Sequence, residues 1–320
     1  MMKVLCGILL AFLLIQGVFA EVSTPAVLSV AQYPDAKRAM LSLTFDDGTK
    51  DHYSLAAPLL EKYGYRGIFS IIPDYLGSGK YMSWNNVKEL KIRGHEIANH
   101  SMSHQKLVPL YKAGDTNELK RQIFDSLDVF EKNAGFRPTV FCFPCTSLNE
   151  ELNAIVQKSG QEPMMRLRYV FLRDTRLKDF GEYLDNVVSN REFKAVVFHG
   201  IDPKGRGWEA FADPAGFENV LRYLKSRESE IHIGRYSDNM NYFNRQQVAE
   251  LVAEKTDGGL STYRLVSTNG VQQGSLFITV APESIGEKIS LSGKPVTLAT
   301  NALGVVYFPA SFGDVISVTD

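Results

Sequence analysis

The chain has 320 residues, of which 44% are hydrophobic and 22% are charged, and its formal net charge at pH 7 is -1. This composition allows a full hydrophobic core and favours one large domain, with or without a small companion domain. The near-neutral charge, without a basic stretch, argues against nucleic acid as a partner and against a disordered chain.

The first twenty residues have the pattern of a secretory signal peptide. A short basic start precedes an apolar run from Val4 to Val18, and small residues then suit cleavage before Glu21. The apolar run is short for a membrane helix. We therefore expect cleavage and export to the periplasm, the cell surface or the medium, with no membrane span in the mature chain.

Strands and helices are predicted to alternate from residue 39 to residue 254. The predicted strands cover residues 39–45, 66–72, 95–98, 139–143, 194–198 and 231–236. The predicted helices cover residues 52–62, 84–94, 117–133, 149–158, 215–226 and 239–254. Residues 162–190 show only short strands. Repeated strand-helix units predict an α/β fold, either a barrel or an open doubly wound sheet.

The pattern changes after residue 256. Short alternating strands separated by glycine, asparagine and proline follow, at residues 276–280, 296–299, 305–308 and 315–318. They predict a small β-sandwich-like domain. The predicted division of the chain is a signal peptide at residues 1–20, a barrel domain at residues 21–256 and an all-β domain at residues 257–320.

Acidic and histidine side chains follow three of the predicted strands. Asp46 and Asp47 follow the first strand, His100 and His104 the third, and His199 the fifth. In barrels and open α/β sheets, this carboxyl edge is where functional sites are built. A carboxylate with two imidazoles leaves open positions on a divalent ion, and a helical turn would place both imidazoles on one face. A second carboxylate and a further histidine can exchange protons with a substrate.

Three segments that contain these residues resemble motifs of the NodB-type polysaccharide deacetylases, carbohydrate esterase family 4. Thr44 to Gly48, His100 to His104 and Val196 to His199 are similar to the first, second and fifth motifs of that family. The resemblance implies a distorted (β/α) barrel of the NodB type. It also implies an enzyme that removes acetyl groups from a polysaccharide or oligosaccharide with the help of a metal.

The resemblance implies a role for each matching residue. Asp46 matches the catalytic base and His199 the catalytic acid, while Asp47, His100 and His104 match the metal ligands. The implied cofactor is a divalent metal, with zinc expected and cobalt or nickel as alternatives. The implied partner is an acetylated glycan, and the oligomeric state stays open.

The third and fourth motifs depart from the family pattern. The third usually reads like Arg-Pro-Pro-Tyr-Gly, whereas here it begins at Cys142, which stands where the family has the arginine that orients the base. No segment matches the fourth motif. Arg166 is a candidate to replace the missing charge, and Trp208 is a candidate to stack on a sugar. His52 belongs to no motif and is interpreted as structural or solvated.

Two alternative functions stay open beside the deacetylase. The incomplete motifs are compatible with a catalytically weak barrel that retains only glycan binding. A Cys-x-Pro-Cys segment between a strand and a helix also fits a thiol oxidoreductase acting through Cys142 and Cys145. Buried small residues or a disulfide would explain the same cysteines, and Asp46 to Gly48 taken alone is also an ordinary turn sequence.

Overall fold

The computed structural model of the protein describes residues 27–319, except residues 165–167, 173–174, 203–210, 212, 214 and 271–272. The predicted signal peptide, Arg166 and Trp208 lie outside the described residues. Every helix in the described part of the chain is too short or too polar to cross a membrane.

The described residues form seventeen strands. They are β1 (Leu28–Val30), β2 (Ala39–Phe45), β3 (Ile68–Ile71), β4 (Glu96–Asn99), β5 (Val140–Phe141), β6 (Glu162–Pro163), β7 (Arg168–Val170), β8 (Phe193–Phe198), β9 (Ile231–Ile233), β10 (Ala249–Asp257), β11 (Leu260–Ser267), β12 (Ser275–Val280), β13 (Lys288–Leu291), β14 (Lys294–Pro295), β15 (Ala299–Thr300), β16 (Val306–Ser311) and β17 (Val315–Thr319).

Nine α-helices connect the strands within the same residues. They are α1 (Ala57–Lys62), α2 (Trp84–Ile92), α3 (Leu107–Lys112), α4 (Thr116–Lys120), α5 (Ser126–Ala134), α6 (Glu150–Lys158), α7 (Leu177–Ser189), α8 (Gly216–Ser226) and α9 (Tyr236–Gln247). Two π-helical stretches, His52–Ala56 and Arg121–Asp125, precede α1 and join α4 to α5. Local sequence sets some helix ends: a capping box between Ser83 and Asn86 starts α2.

Eight parallel strands form a curled sheet. Seven follow the order β6-β5-β4-β3-β2-β8-β7, and β9 pairs with the amino-terminal half of β2. Among the described residues no pairing joins β6 to β7, so the curled sheet stays open. This architecture is the distorted (β/α) barrel that the motifs imply.

A row of buried phenylalanine rings crosses the sheet close to its carboxyl edge. The ring centroid of Phe45 lies 4.9 Å from that of Phe69 and 5.2 Å from that of Phe198, and Phe171 lies 4.9 Å from Phe198. Burying each ring stabilises the fold by about 1.5–3 kcal/mol. The row therefore fixes the alignment of strands that end at the predicted site residues.

Two segments of the barrel differ from the sequence prediction. Helix α7 occupies residues 177–189, where only short strands were expected, and its buried residues include Phe180 and Leu184. The helix predicted for residues 239–254 is wrong in its second half, because α9 ends at Gln247 and β10 begins at Ala249. Pairing of β10 with β11 across a two-glycine turn overrides the local helical pattern.

The carboxyl-terminal module contains two antiparallel sheets that share one core. Their orders are β1-β12-β16-β15 and β10-β11-β17-β13-β14. Leu265 and Ile316 from one sheet pack with Ile278 and Phe308 from the other, as in a small β-sandwich. The module also includes β1 from the start of the described chain, and β10 crosses the boundary predicted at residue 256.

Candidate active site and metal centre

The register of two neighbouring strands brings the predicted base and acid together. Phe45 at the end of β2 pairs with Phe198 at the end of β8, so Asp46 and His199 follow at adjacent positions. The backbone N–H of Asp46 continues the ladder and donates to the carbonyl oxygen of Phe198 at 2.9 Å. Two residues that lie far apart in the sequence therefore share one edge of the barrel.

The register of β4 and β5 makes a second adjacent pair. Asn99 pairs with Phe141, so His100 and Cys142 follow side by side. The N–H of His100 donates to the carbonyl oxygen of Ile71 at 2.8 Å, which extends the β3 ladder by one more residue. The imidazole of His100 thus leaves the sheet at the same edge as the carboxylates.

Asp47, His100 and His104 converge on a common point. The Asp47 Oδ1 atom lies 3.5 Å from His100 Nε2 and 3.4 Å from His104 Nε2. Two ligands bound at about 2.1 Å to one ion at a tetrahedral angle are themselves about 3.4 Å apart. The spacing of the three side chains therefore fits a single divalent ion.

The surroundings of these three side chains also fit a metal. The Nδ1–H of His100 donates to the carbonyl oxygen of Cys142 at 2.7 Å, which leaves the Nε2 lone pair for a ligand. Asp47 Oδ1 is buried without a hydrogen-bond partner among the described residues, and a cation would satisfy it. His100 is 2% exposed, whereas Asp47 and His104 are 26% and 28% exposed, so one side of the cluster faces solvent.

The segment from His100 to His104 is a turn and not a helix. Ser101 and His104 both have φ of 61°, and Asp47 has φ of 80°. The N–H of His100 is bonded to the carbonyl oxygen of Ile71 in β3, as in a sheet and not as in a helix. The helical geometry considered for His100 and His104 therefore does not apply. Left-handed conformations at residues other than glycine are uncommon and cluster at functional sites. Here they aim two imidazoles and a carboxylate at one point.

Gln122 supports the turn that carries His104. This fully buried residue lies in the π-helical stretch Arg121–Asp125. Its Oε1 accepts from the N–H of Ser103 at 3.0 Å, and its Nε2 donates to the Ser103 Oγ at 2.7 Å. Short π-helical stretches often mark functional sites. Gln122 belongs to no motif, and no local pattern in the sequence points to its role.

Replacing Gln122 with alanine is expected to lower the affinity for a divalent metal by about 10- to 100-fold, as loss of a residue that orients a ligand does. Calorimetric titration of metal-free protein with Zn²⁺ measures the change. Gln105→Ala is the matched control, because exposed Gln105 reaches the same Ser103 Oγ only at 3.5 Å. Its affinity should stay within about twofold of wild type. Wild-type affinity in Gln122→Ala would show that the turn needs no support from this side chain.

Two residues just after the first motif hold the loop that follows β8. The Nε2–H of His52 donates to the carbonyl oxygen of His199. Asp51 Oδ2 accepts from the N–H of Ile201 and from that of Asp202, the latter at 2.9 Å. His52 is fully buried, so the structural interpretation of this residue holds and the solvated one does not. These bonds fix the backbone of the predicted acid.

The electrostatic environment favours an ionised carboxylate beside a neutral imidazole. Burial alone would raise the pKa of Asp47, but the close approach of His100 and the charges of His100, His104 and His199 lower that pKa overall. Burial, followed by the charge of His100, lowers the pKa of His104. An ionised Asp47 and a neutral His104 are the forms that bind metals.

The third-motif cysteines lie in different environments and are both free. Cys142 is fully buried and its Sγ donates to Asp46 Oδ1 at 3.6 Å, whereas Cys145 is exposed. A buried thiol is a poor nucleophile for disulfide exchange, because the partner sulfur must reach it. The geometry therefore argues against the thiol oxidoreductase alternative and gives Cys142 a contact with the predicted base.

Two tyrosines flank the candidate metal centre. The rings of Tyr75 and Tyr81 lie 4.9 Å apart, and the hydroxyl of Tyr75 donates to the carbonyl oxygen of Ser103 at 3.4 Å. Burial, followed by the negative charge of Asp47, raises the pKa of Tyr81. Paired aromatic rings beside a polar site offer a surface on which a sugar can stack.

Carboxylates and histidines at the carboxyl edge of an open (β/α) barrel lie where enzymes of this architecture have their active sites. Residues 34–164 match the family described as polysaccharide deacetylase. Over this segment the match bears out the resemblance to polysaccharide deacetylases seen in the motifs. The match includes the first three motif regions and ends before β8 and His199.

Individual relatives match parts of the chain. The peptidoglycan-N-acetylmuramic acid deacetylase PdaC of Bacillus subtilis is 31% identical over 121 residues, which are 38% of this chain and 24% of that protein. A gellan lyase of a Bacillus species is 22% identical over 270 residues, 74% of this chain and 10% of that protein. The chain spans less than half of the length of these relatives.

Among solved structures, the chain is similar to a family 4 acetyl xylan esterase from Clostridium thermocellum in complex with a cobalt ion. The TM-score is 0.48 and the sequence identity 20%, and the superposition covers 63% of this chain and 90% of that chain.

Proposed function

We propose that the protein is an exported, metal-dependent deacetylase that hydrolyses acetyl groups of a polysaccharide or oligosaccharide. The observation that carries the proposal is the convergence of Asp47, His100 and His104 within ligand spacing, next to the buried carboxylate of Asp46. His199 follows the strand adjacent to Asp46 and completes the set. A deacetylase domain in the same segment supports the reaction class.

Asp47, His100 and His104 would hold a divalent ion. Such an ion polarises a carbonyl oxygen and lowers the pKa of bound water. Zinc suits the mixed nitrogen and oxygen donors, and cobalt or nickel could replace it.

Asp46 and His199 transfer the protons of the reaction. Asp46 accepts the proton of the water that attacks the acetyl carbonyl, and its burial next to a thiol donor fixes the direction of the carboxylate. His199 donates a proton to the departing amine or alcohol of the sugar, while Asp51 and His52 hold its backbone in place. Acetate and the deacetylated sugar are the products.

Two observations support a substrate class: the named activity of a relative and the paired rings of Tyr75 and Tyr81 beside the site. PdaC acts on peptidoglycan, according to its name, and this chain shares 31% identity with it over 121 residues. We propose an acetylated glycan of the cell wall or the extracellular space as the substrate. Tyr75 and Tyr81 form the surface on which one sugar ring rests.

Removal of the metal should abolish the activity. After dialysis against a strong chelator, acetate release from peptidoglycan fragments, chitin oligomers or acetylxylan should fall by at least about 100-fold, and Zn²⁺ or Co²⁺ should restore it. Acetate is measured enzymatically, and bound metal by elemental analysis. Full release by a protein shown to be free of metal would contradict the proposal. Measurable glycan binding without release from any substrate would favour the alternative of a catalytically weak, glycan-binding barrel.

A further inference from the structure

Cys142 occupies a fully enclosed position between the predicted base and a predicted metal ligand. Its Sγ donates to Asp46 Oδ1 at 3.6 Å, and its carbonyl oxygen accepts from the Nδ1–H of His100 at 2.7 Å. Its own N–H donates to the carbonyl oxygen of Asn99 at 2.8 Å. Potential ligand atoms of Asp46, His100 and Cys142 all lie within 4.8 Å of one another. Both the backbone and the side chain of this residue are therefore engaged in the site.

From this geometry we infer that Cys142 is a positioning residue, whose thiol orients the carboxylate of Asp46 through an S–H···O hydrogen bond. The inference rests on the proposed deacetylase function, because it assigns Asp46 the role of base. It goes beyond that function by giving this cysteine a task in the reaction.

The physical reason is the burial of both partners. Asp46 is 3% exposed and Cys142 is 0% exposed, so water does not compete for the carboxylate oxygen that the thiol contacts. A buried carboxylate needs donors, and each donor restrains rotation about the bond that carries the carboxylate. A thiol is a weak, neutral donor, so it directs the oxygen without adding a positive charge.

The backbone contact sets the position of the thiol. Cys142 follows β5 directly, and its N–H extends the ladder to Asn99 by one residue. The same residue therefore orients His100 through its carbonyl oxygen and Asp46 through its side chain. Only the contact with Asp46 depends on the identity of the side chain. Substitutions at Cys142 therefore test this contact without removing the one to His100.

Three variants of the full chain test the inference: Cys142→Ala, Cys142→Ser and the control Cys145→Ala. Cys142→Ala removes the donor and should lower kcat for acetate release by about 10- to 100-fold, with KM and bound metal unchanged. Cys142→Ser keeps a donor at the same position and should recover most of kcat. Cys145→Ala removes an exposed thiol three residues away and should behave as wild type.

Unchanged kcat in Cys142→Ala would overturn the inference, as would a Cys142→Ser protein that binds metal but is as slow as Cys142→Ala. A wild-type protein that releases no acetate would overturn the proposed function instead, and a second measurement then decides the hydrogen bond alone. The S–H stretching band of Cys142, assigned by its loss in Cys142→Ala, should shift to higher frequency in Asp46→Ala. An identical band in Asp46→Ala would overturn the inference without any activity assay.

Discussion

Replacing Asp46 with asparagine is expected to lower kcat for acetate release by about 10²- to 10⁴-fold, the usual contribution of a general base. The amide has the size of the carboxylate and can still accept a hydrogen bond from Cys142, so the fold and the packing at this buried position should persist. It cannot take the proton of the attacking water. KM and bound metal should change little, because Asp46 is not one of the three proposed ligands.

Asp128→Asn is the matched control for this experiment. Asp128 is exposed on α5, where it pairs with Arg137 on the protein surface. The same chemical change there should leave kcat within about twofold of wild type, as most surface substitutions do. If Asp46→Asn kept more than half of the wild-type kcat with metal bound, another residue would have to act as the base.

Replacing His100 with alanine is expected to give the second large effect, a loss of metal affinity of more than about 100-fold and with it the loss of activity. His100 is one of the three proposed ligands, so the effect should exceed that of losing an outer partner. The carbonyl oxygen of Cys142 also loses its donor, which should lower the free energy of unfolding by about 1–3 kcal/mol. Metal titration and thermal unfolding measure the two effects.

His232→Ala provides the histidine control. His232 lies on β9 at the opposite, amino-terminal end of β2, and its nearest acidic partner is Asp35, at 3.9 Å. This variant should keep wild-type metal affinity and activity. A His100→Ala protein that retained both its metal and full activity would refute the ligand assignment.

The Cys142 thiol also bears on the choice between the catalytic and the binding-only hypotheses. The sequence left the base without its family arginine, which made a catalytically weak barrel plausible. In the structure a hydrogen-bond donor does reach Asp46 from the position of that arginine. If Cys142 has the proposed positioning role, the departure in the third motif is a change in the kind of donor, from a cation to a thiol.

The sequence by itself determined the main strands of the barrel and the choice of candidate site residues. The prediction for β2 agrees with the structure at both ends, because the alternation of apolar and polar residues from Ala39 to Phe45 is a local strand signal. The motif residues could be chosen because they lie at or just beyond the ends of strands. Local order along the chain was sufficient for these conclusions.

Only the tertiary structure decided how the site is assembled. The contact of Cys142 with Asp46 joins residues 96 positions apart, and that of His52 with His199 joins residues 147 apart. Such contacts depend on strand order and register, which local sequence does not specify. The turn at His100 and the strand at β10 likewise follow from hydrogen bonds to neighbouring strands. Pairing between distant segments overrode the local preference of the chain at both places.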